Sequence, residues 1–383
     1  MKTSVKELLL ESLKIEGETG NEKGISDFYA DQCRQLGLDV FQDDNNNVIA
    51  VLDSSQGKII NFNGHMDTKP VDNIKPRIED SLVYGRGACD MRGGIASMLD
   101  SAEALVKNKQ MKGKVVYTFV VCEESGSREI RQRGTPSVIE YLQKNGLTPD
   151  AVIIGESSQT NYSKTGIGYT LCDGERGRYT IDITIVGEAA HGAWGSELGI
   201  NAHALAGKIV HELCCLERNG KIDKESNLHA KFGIIEEGTH NLVPDTCPIQ
   251  IDIRYSSNIA LKGIMKDVLE SVKNNLNYGE KKGEYSFKGT PIGNPCTNIE
   301  NIFIEKLLCA YRTATGKEPN KTKSKFGTDG RLIRELLGKN IPIYIAGPGY
   351  QYIAHTKNEN VPIQHLKDYS RIYTETVLSY LSR

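Results

Sequence analysis

Hydrophobic residues in this chain follow two rhythms. Val5, Leu8, Leu9 and Leu13 recur at helical spacing, as do Ile25, Phe28, Tyr29, Cys33 and Leu36; this predicts two opening helices with one buried face each. Short apolar, β-branched runs then alternate with helical segments such as Met91–Val106 and Thr135–Lys144, the pattern of a mostly parallel sheet flanked by helices. Past Asp173-Gly174-Glu175 the rhythm changes. Thr180–Val186 alternates strictly, with Ile181, Ile183 and Ile185 on one face. Asn201–Leu216 and Leu261–Leu276 are predicted helices, while Phe232–Ile235, Ile249–Tyr255 and Tyr285–Lys288 are predicted strands. The order β-α-β-β-α-β is that of a ferredoxin-like module. Strand–helix alternation resumes with Asn301–Thr315 and Pro342–Gly347, so the module reads as an insertion. The expected fold is an α/β catalytic domain of residues 1–174 and 291–383, with an inserted α+β lid over residues 175–290.

The apolar runs carry a second message at their ends. Lys58–Gly64 leads into His65-Met66-Asp67, Val115–Val121 into Glu123-Glu124, and Ala151–Gly155 into Glu156; Pro342–Gly347 precedes His355 by a few residues. Ligands of open α/β sheets bind outside the carboxyl ends of parallel strands, so these residues are expected to converge, together with Asp90 of GRGACDMRGG. Imidazole nitrogen and carboxylate oxygen suit zinc. His65 and His355 would give each of two metals one nitrogen ligand, Glu156 and Glu124 would give each a carboxylate, and Asp90 would bridge them. Two metals about 3.5–4 Å apart can activate one water and polarise a carbonyl. Asp67 fits the carboxylate that orients a ligating histidine. Of Glu123 and Glu124 only one need bind metal, the other serving as general base, and spacing leaves the choice open.

Composition narrows the picture. A chain of 383 residues suits two domains better than one core. Net charge is −2 with no basic run, which argues against a nucleic-acid surface. Nine cysteines without a CxxC pair indicate reduced thiols and a cytoplasmic enzyme. Charges interrupt MKTSVKELLLESLKIEG, so no signal-peptide core is expected there, and no stretch approaches the roughly 20 apolar residues of a membrane span.

The segments GHMDTKP, YGRGACDMRGG, EESGS, IGES, AAHGAWGSELGINA, THNLVPD, IDIRY, GTDGR and AGPGYQYIAHTKNE resemble, in order, the signatures of one zinc hydrolase family. It contains acetylornithine deacetylase, succinyl-diaminopimelate desuccinylase, aminoacylase-1 and the glutamate-releasing carboxypeptidases. The resemblance implies two divalent metals, zinc first, with cobalt or manganese as alternatives. It implies His65 and Glu156 on the first metal, Glu124 and His355 on the second, Asp90 between them, Asp67 as orienting partner and Glu123 as base. It further implies that His191 steadies an oxyanion, that Asn241 and Arg254 contact substrate, and that Thr328 and Gly349 lie in substrate-side loops. A homodimer through the lid and a small N-acyl amino acid or short peptide as substrate complete the expectation.

Several positions fit plainer roles as well. Arg254 fits a salt bridge at a strand end, Asp329 a helix cap before Arg331–Leu337, and Glu359 a turn or a support for His355. His365, in VPIQHLKDY, is expected at a surface helix start rather than on metal. The chain departs from the family pattern at Ser157, in the short loop from Pro70 to Tyr84, and in the basic stretch REIRQRG, so the substrate is not assigned. The rivals are a di- or tripeptidase, a silent metal-binding protein on the same fold, and a nucleotide-binding oxidoreductase, the last weakened by the lack of GxGxxG spacing.

Overall fold

The computed structural model describes residues 4–71, 74–108, 111–125, 127–159, 168–222, 226–233, 240–338 and 340–382. Following the chain, α1 (Val5–Leu13) and α2 (Lys23–Gln35) precede β1 (Asp39–Gln42), β2 (Val48–Asp53) and β3 (Ile59–His65). Then come α3 (Arg92–Val106), β4 (Lys114–Val120), α4 (Thr135–Lys144), β5 (Ala151–Gln159) and β6 (Thr170–Glu175). The next stretch holds β7 (Gly177–Val186), α5 (Ala202–Arg218), β8 (Asn227–Phe232), β9 (Thr246–Tyr255), α6 (Asn258–Asn274) and β10 (Glu284–Gly293). The last contains α7 (Ile302–Thr315), β11 (Asn320–Ser324), α8 (Gly330–Leu337), β12 (Ile343–Tyr350) and α9 (Ile363–Tyr380).

These elements form two compact units, one ending at Glu175 and resuming at Thr297, the other spanning Arg176–Cys296. In the first, the sheet runs β1-β2-β4-β3-β5-β12-β6, with β11 beside β6. The central strands β4, β3, β5 and β12 are all parallel. Both faces are covered: α1, α3, α7 and α9 contribute to one apolar core, and α4 and α8 to a second. Burial on both faces explains the unbroken Val/Ile runs of these strands.

The second unit has the sheet order β8-β9-β7-β10, every neighbour antiparallel. Ile181, Ile183 and Ile185 face α5 and α6 in a core of their own. The opposite face is polar, with Arg178, Asp182, His229, Asp252 and Arg254 lining a shallow cavity.

Three expectations shift. Strand β8 ends at Phe232, where the pattern had suggested a beginning; Leu228 and Ala230 are its inward residues, and Ile234-Ile235 lie outside the described residues. Strand β5 continues through Glu156 to Gln159 because its polar end is buried and paired, Ser158 Oγ donating to the Gly347 carbonyl. His365 does open α9, but it is fully buried rather than at the surface. Among the described residues no disulfide joins the cysteines, and no helix is long and apolar enough to cross a membrane.

Candidate metal centre

Parallel pairing of β4, β3, β5 and β12 sends their carboxyl ends to one edge, and the expected unit-1 residues meet there. His65 is the last residue of β3. Its Nδ1 donates to the Asp67 main-chain oxygen at 2.9 Å, which leaves Nε2 as the outward nitrogen. That Nε2 lies 3.1 Å from Asp90 Oδ1 and 3.2 Å from Glu156 Oε1. His355 Nε2 lies 2.9 Å from Asp90 Oδ2 and 2.8 Å from Glu124 Oε1. Asp90 therefore turns one oxygen to each histidine. Ligand atoms of His65, Asp90 and Glu124 lie within 4.8 Å of one another, as do those of His65, Glu123 and Glu156.

Asp67 does more than the expected carboxylate–imidazole pairing. Its carboxylate stands 3.5 Å from His65 Nδ1 but accepts from the backbone N–H groups of Glu123 and Glu124, each at 3.0 Å, and from Thr19 Oγ1 at 2.7 Å. One residue thus orients the histidine through its carbonyl and the glutamate turn through its side chain. That turn begins at Cys122, whose φ of 62° is unusual for a residue with a Cβ; His355 shares the conformation at 63°. Glu359 braces the Asp90 loop rather than His355. Its Oε1 accepts from the N–H groups of Cys89 and Asp90, and its Oε2 accepts from Arg86 Nη1 at 2.8 Å.

The electrostatics are those of crowded, buried charge. Burial alone would lower the His65 pKa, yet Glu156, Asp67 and Asp90 push it well above the usual imidazole value. Hydrogen bonds donated to the Asp90 and Glu124 carboxylates raise His355 to about 10. Burial, then the charge of Asp90, raises Glu156 to about 8. Burial would raise Asp90 too, but His355 and His65 hold it far below the carboxylate range. The fit to a metal rests on one orphan atom: Glu156 Oε2 is buried with no hydrogen-bond partner among the described residues. With the His65 imidazole beside it and Glu123 in the same group of ligand atoms, that carboxylate suits a hard divalent cation.

Cations missed in the sequence surround the cluster. Lys69 Nζ is 3.1 Å from Glu124 Oε2. Arg131 Nη2 is 2.6 Å from Glu123 Oε1 and 3.1 Å from Asp329 Oδ1, so Asp329 heads α8 without capping it. Fully enclosed Arg92 donates to the carbonyls of Met66, Ser12 and Ile15. The only sequence signals were a lysine inside GHMDTKP, arginines inside GRGACDMRGG and the basic stretch REIRQRG.

The expected substrate residues divide. Thr328 is buried, its N–H and Oγ1 both donating to Glu175, at 2.9 and 2.8 Å. Gly349 has φ 99°, and a Cβ there would lie 2.6 Å from the Cys89 Cβ, so glycine is required by the backbone and by close approach. In the other unit, His191 pairs with Leu242 in a short antiparallel bridge and is exposed; Gly192 N–H donates to the Asn241 carbonyl nearby. Arg254 Nε donates to Asp252 Oδ1 at 2.8 Å, and Arg178 takes the other oxygen.

A doubly covered parallel sheet with histidines and carboxylates at its strand ends defines a metal-dependent hydrolase of the deacylase and peptidase class. Residues 61–379 match Peptidase family M20/M25/M40, and the chain belongs to that family. It is 26% identical to succinyl-diaminopimelate desuccinylase of Buchnera aphidicola, over 100% of both chains. It is 27% identical to the desuccinylase of Acinetobacter baylyi, over 85% of this chain and 84% of that one. Among solved structures, a tripeptidase from Staphylococcus aureus superposes with TM-score 0.77 at 24% identity, covering 97% of this chain and 96% of the other. Aminopeptidase PepT from Bacillus cereus gives 0.73 at 22% identity, covering 98% of each.

Proposed function

We propose that this chain hydrolyses the amide bond of a small N-acyl amino acid with two divalent metals, zinc first. The observation that carries the proposal is Asp90, whose two oxygens face two different histidines. His65, Asp90 and Glu156 would hold one metal, and His355, Asp90 and Glu124 the other. When bound, such a pair supplies Lewis acidity and lowers the proton affinity of water. Glu123 takes the proton from water and delivers it to the departing nitrogen. Asp67 keeps the glutamate turn beside His65 through its bonds to the Glu123 and Glu124 N–H groups.

His191 as oxyanion donor, Asn241 and Arg254 as substrate contacts, and Thr328 and Gly349 as supports of substrate-side loops are proposed on the family resemblance. So are a homodimer through the inserted unit and a cytoplasmic location. The desuccinylase relatives favour an N-succinyl or similar acyl group, whereas the tripeptidase neighbour favours short peptides as the second reading. A panel of N-succinyl-diaminopimelate, N-acetylornithine, dipeptides and tripeptides, assayed with the zinc-loaded protein, separates the two. Glu123→Ala is expected to abolish turnover of the panel's best substrate while keeping bound zinc near the wild-type content. Wild-type activity in that variant would remove Glu123 from the role of base.

A further inference from the structure

Glu123 does not stand alone in its turn. Arg131, at the end of a short helical turn (Arg128–Arg131), reaches back with Nη2 to Glu123 Oε1 at 2.6 Å. The same Nη2 is 3.1 Å from Oδ1 of Asp329, 198 residues further along the chain. All three side chains are largely enclosed, with exposures of 10% for Glu123, 22% for Arg131 and 5% for Asp329. Asp329 is itself anchored, because the preceding Thr328 spends its N–H and its hydroxyl on buried Glu175.

Enclosed charges at this separation interact far more strongly than the same groups in water. A guanidinium bonded to one carboxylate oxygen fixes the rotamer of the side chain and leaves the other oxygen to exchange protons. Asp329 shares the same nitrogen and so holds the guanidinium in place from the other side. The arrangement resembles a clamp more than a structural salt bridge, since its fixed end lies in a different loop from the group it holds.

We propose that Arg131, held by Asp329, is a positioning residue that aims Glu123 at the reacting atoms. The inference rests on the reading of Glu123 as the base. Being made to Glu123 rather than to substrate, the contact belongs to kcat and not to KM. Misplacing a reacting group by about 1 Å costs up to on the order of 100-fold in rate.

The test uses the full-length zinc-loaded protein and whichever of N-succinyl-diaminopimelate, N-acetylornithine, dipeptides or tripeptides the wild type turns over. Arg131→Ala is expected to lower kcat by on the order of 10- to 100-fold, with KM within about twofold and zinc content unchanged. Arg131→Lys should fall between, and Asp329→Asn should lose several-fold in kcat. Guanidinium ion at low, non-denaturing concentration should restore part of the kcat of Arg131→Ala and none of that of Glu123→Ala. Wild-type kcat in Arg131→Ala overturns the proposal. So does a rise in KM at constant kcat, which would make Arg131 a substrate contact. Should Arg131→Ala fail to fold in a thermal melt, the lysine and Asp329→Asn variants give the same kcat–KM division, and wild-type kcat in both is refuting. Activity retained in Glu123→Ala sinks the base assignment instead, whatever the Arg131 variants do.

Discussion

Acid should destabilise this protein through one histidine that touches no proposed ligand. His365 lies in the first turn of α9, fully buried, with its ring between Tyr169 and Tyr350 at centroid distances of 5.8 and 5.4 Å. Its Nδ1 accepts from the Gly349 N–H at 3.4 Å, and its Nε2 is buried without a partner among the described residues. Burial lowers its pKa to about 4, against a weak opposing pull from Asp368, whose carboxylate is already engaged by the Tyr169 hydroxyl and Gln364. An unfolded histidine titrates near 6.5. Between those values the unfolded chain binds a proton that the folded chain refuses. The stabilisation is therefore complete above about pH 6.5 and is lost as pH falls toward 4. Displacement of the pKa from 6.5 to about 4 corresponds to about 3 kcal/mol, of which about 2.5 is spent between pH 7.5 and 4.5. The perturbation is His365→Gln, whose amide oxygen can still accept from Gly349 and does not titrate. Urea unfolding of both proteins at pH 7.5 and 4.5 gives the comparison. The wild type should lose about 2.5 kcal/mol more than the variant over that interval. Equal losses in the two proteins would refute the reasoning.

Two further outcomes follow from packing and charge. A Cβ on Gly94 would lie 2.1 Å from the Gly155 carbonyl oxygen, so Gly94→Ala should cost about 1–3 kcal/mol by forcing α3 away from β5, read as a lower Tm; an unchanged Tm would show that the layer yields freely. Arg254→Ala should raise KM for a carboxylate-bearing substrate by on the order of tenfold or more with little change in kcat, as expected for loss of a charge-assisted hydrogen bond; an unchanged KM would remove Arg254 from substrate recognition.

What the residues revealed in advance depended on how local the signal was. Asn301 accepts from the Ile304 N–H and opens α7 where the polar-to-apolar change places it, and Ile181, Ile183 and Ile185 bury one face of β7 as their alternation requires. The strand ends were legible for the same reason: strands buried on both faces are unbroken apolar runs, and a polar residue after such a run stands out. Where a polar residue is buried against a distant partner, the pattern fails. Ser158 looks like the start of a loop until Tyr369 and the Gly347 carbonyl appear beside it. His365 looks like a surface residue between Gln364 and Lys367, but the tyrosines that enclose it come from elsewhere in the chain. Arg131 sits in a stretch whose composition reads as solvated, and one of its partners, Asp329, comes from a remote loop.

The same long-range contacts explain how so many carboxylates share one buried edge. Each needs a compensating charge or a proton, because an unpaired buried charge costs several kcal/mol. Glu359 has Arg86, Glu123 and Asp329 share Arg131, and Glu124 has Lys69. Asp90 leans on the two histidines, which are pushed toward their protonated forms to serve it. Glu156 is the exception. Among the described residues its contact with positive charge is His65, already shared with Asp90, and its other oxygen has no hydrogen-bond partner. Burial accordingly drives it toward the neutral acid, to about 8. A divalent cation at this edge would answer both defects: it would supply the charge that Glu156 lacks and favour the neutral imidazoles that ligate metal. Among the described residues, Lys69, Arg86 and Arg131 pair with Glu124, Glu359, Glu123 and Asp329, and no lysine or arginine pairs with Glu156, one of the residues proposed for the first metal.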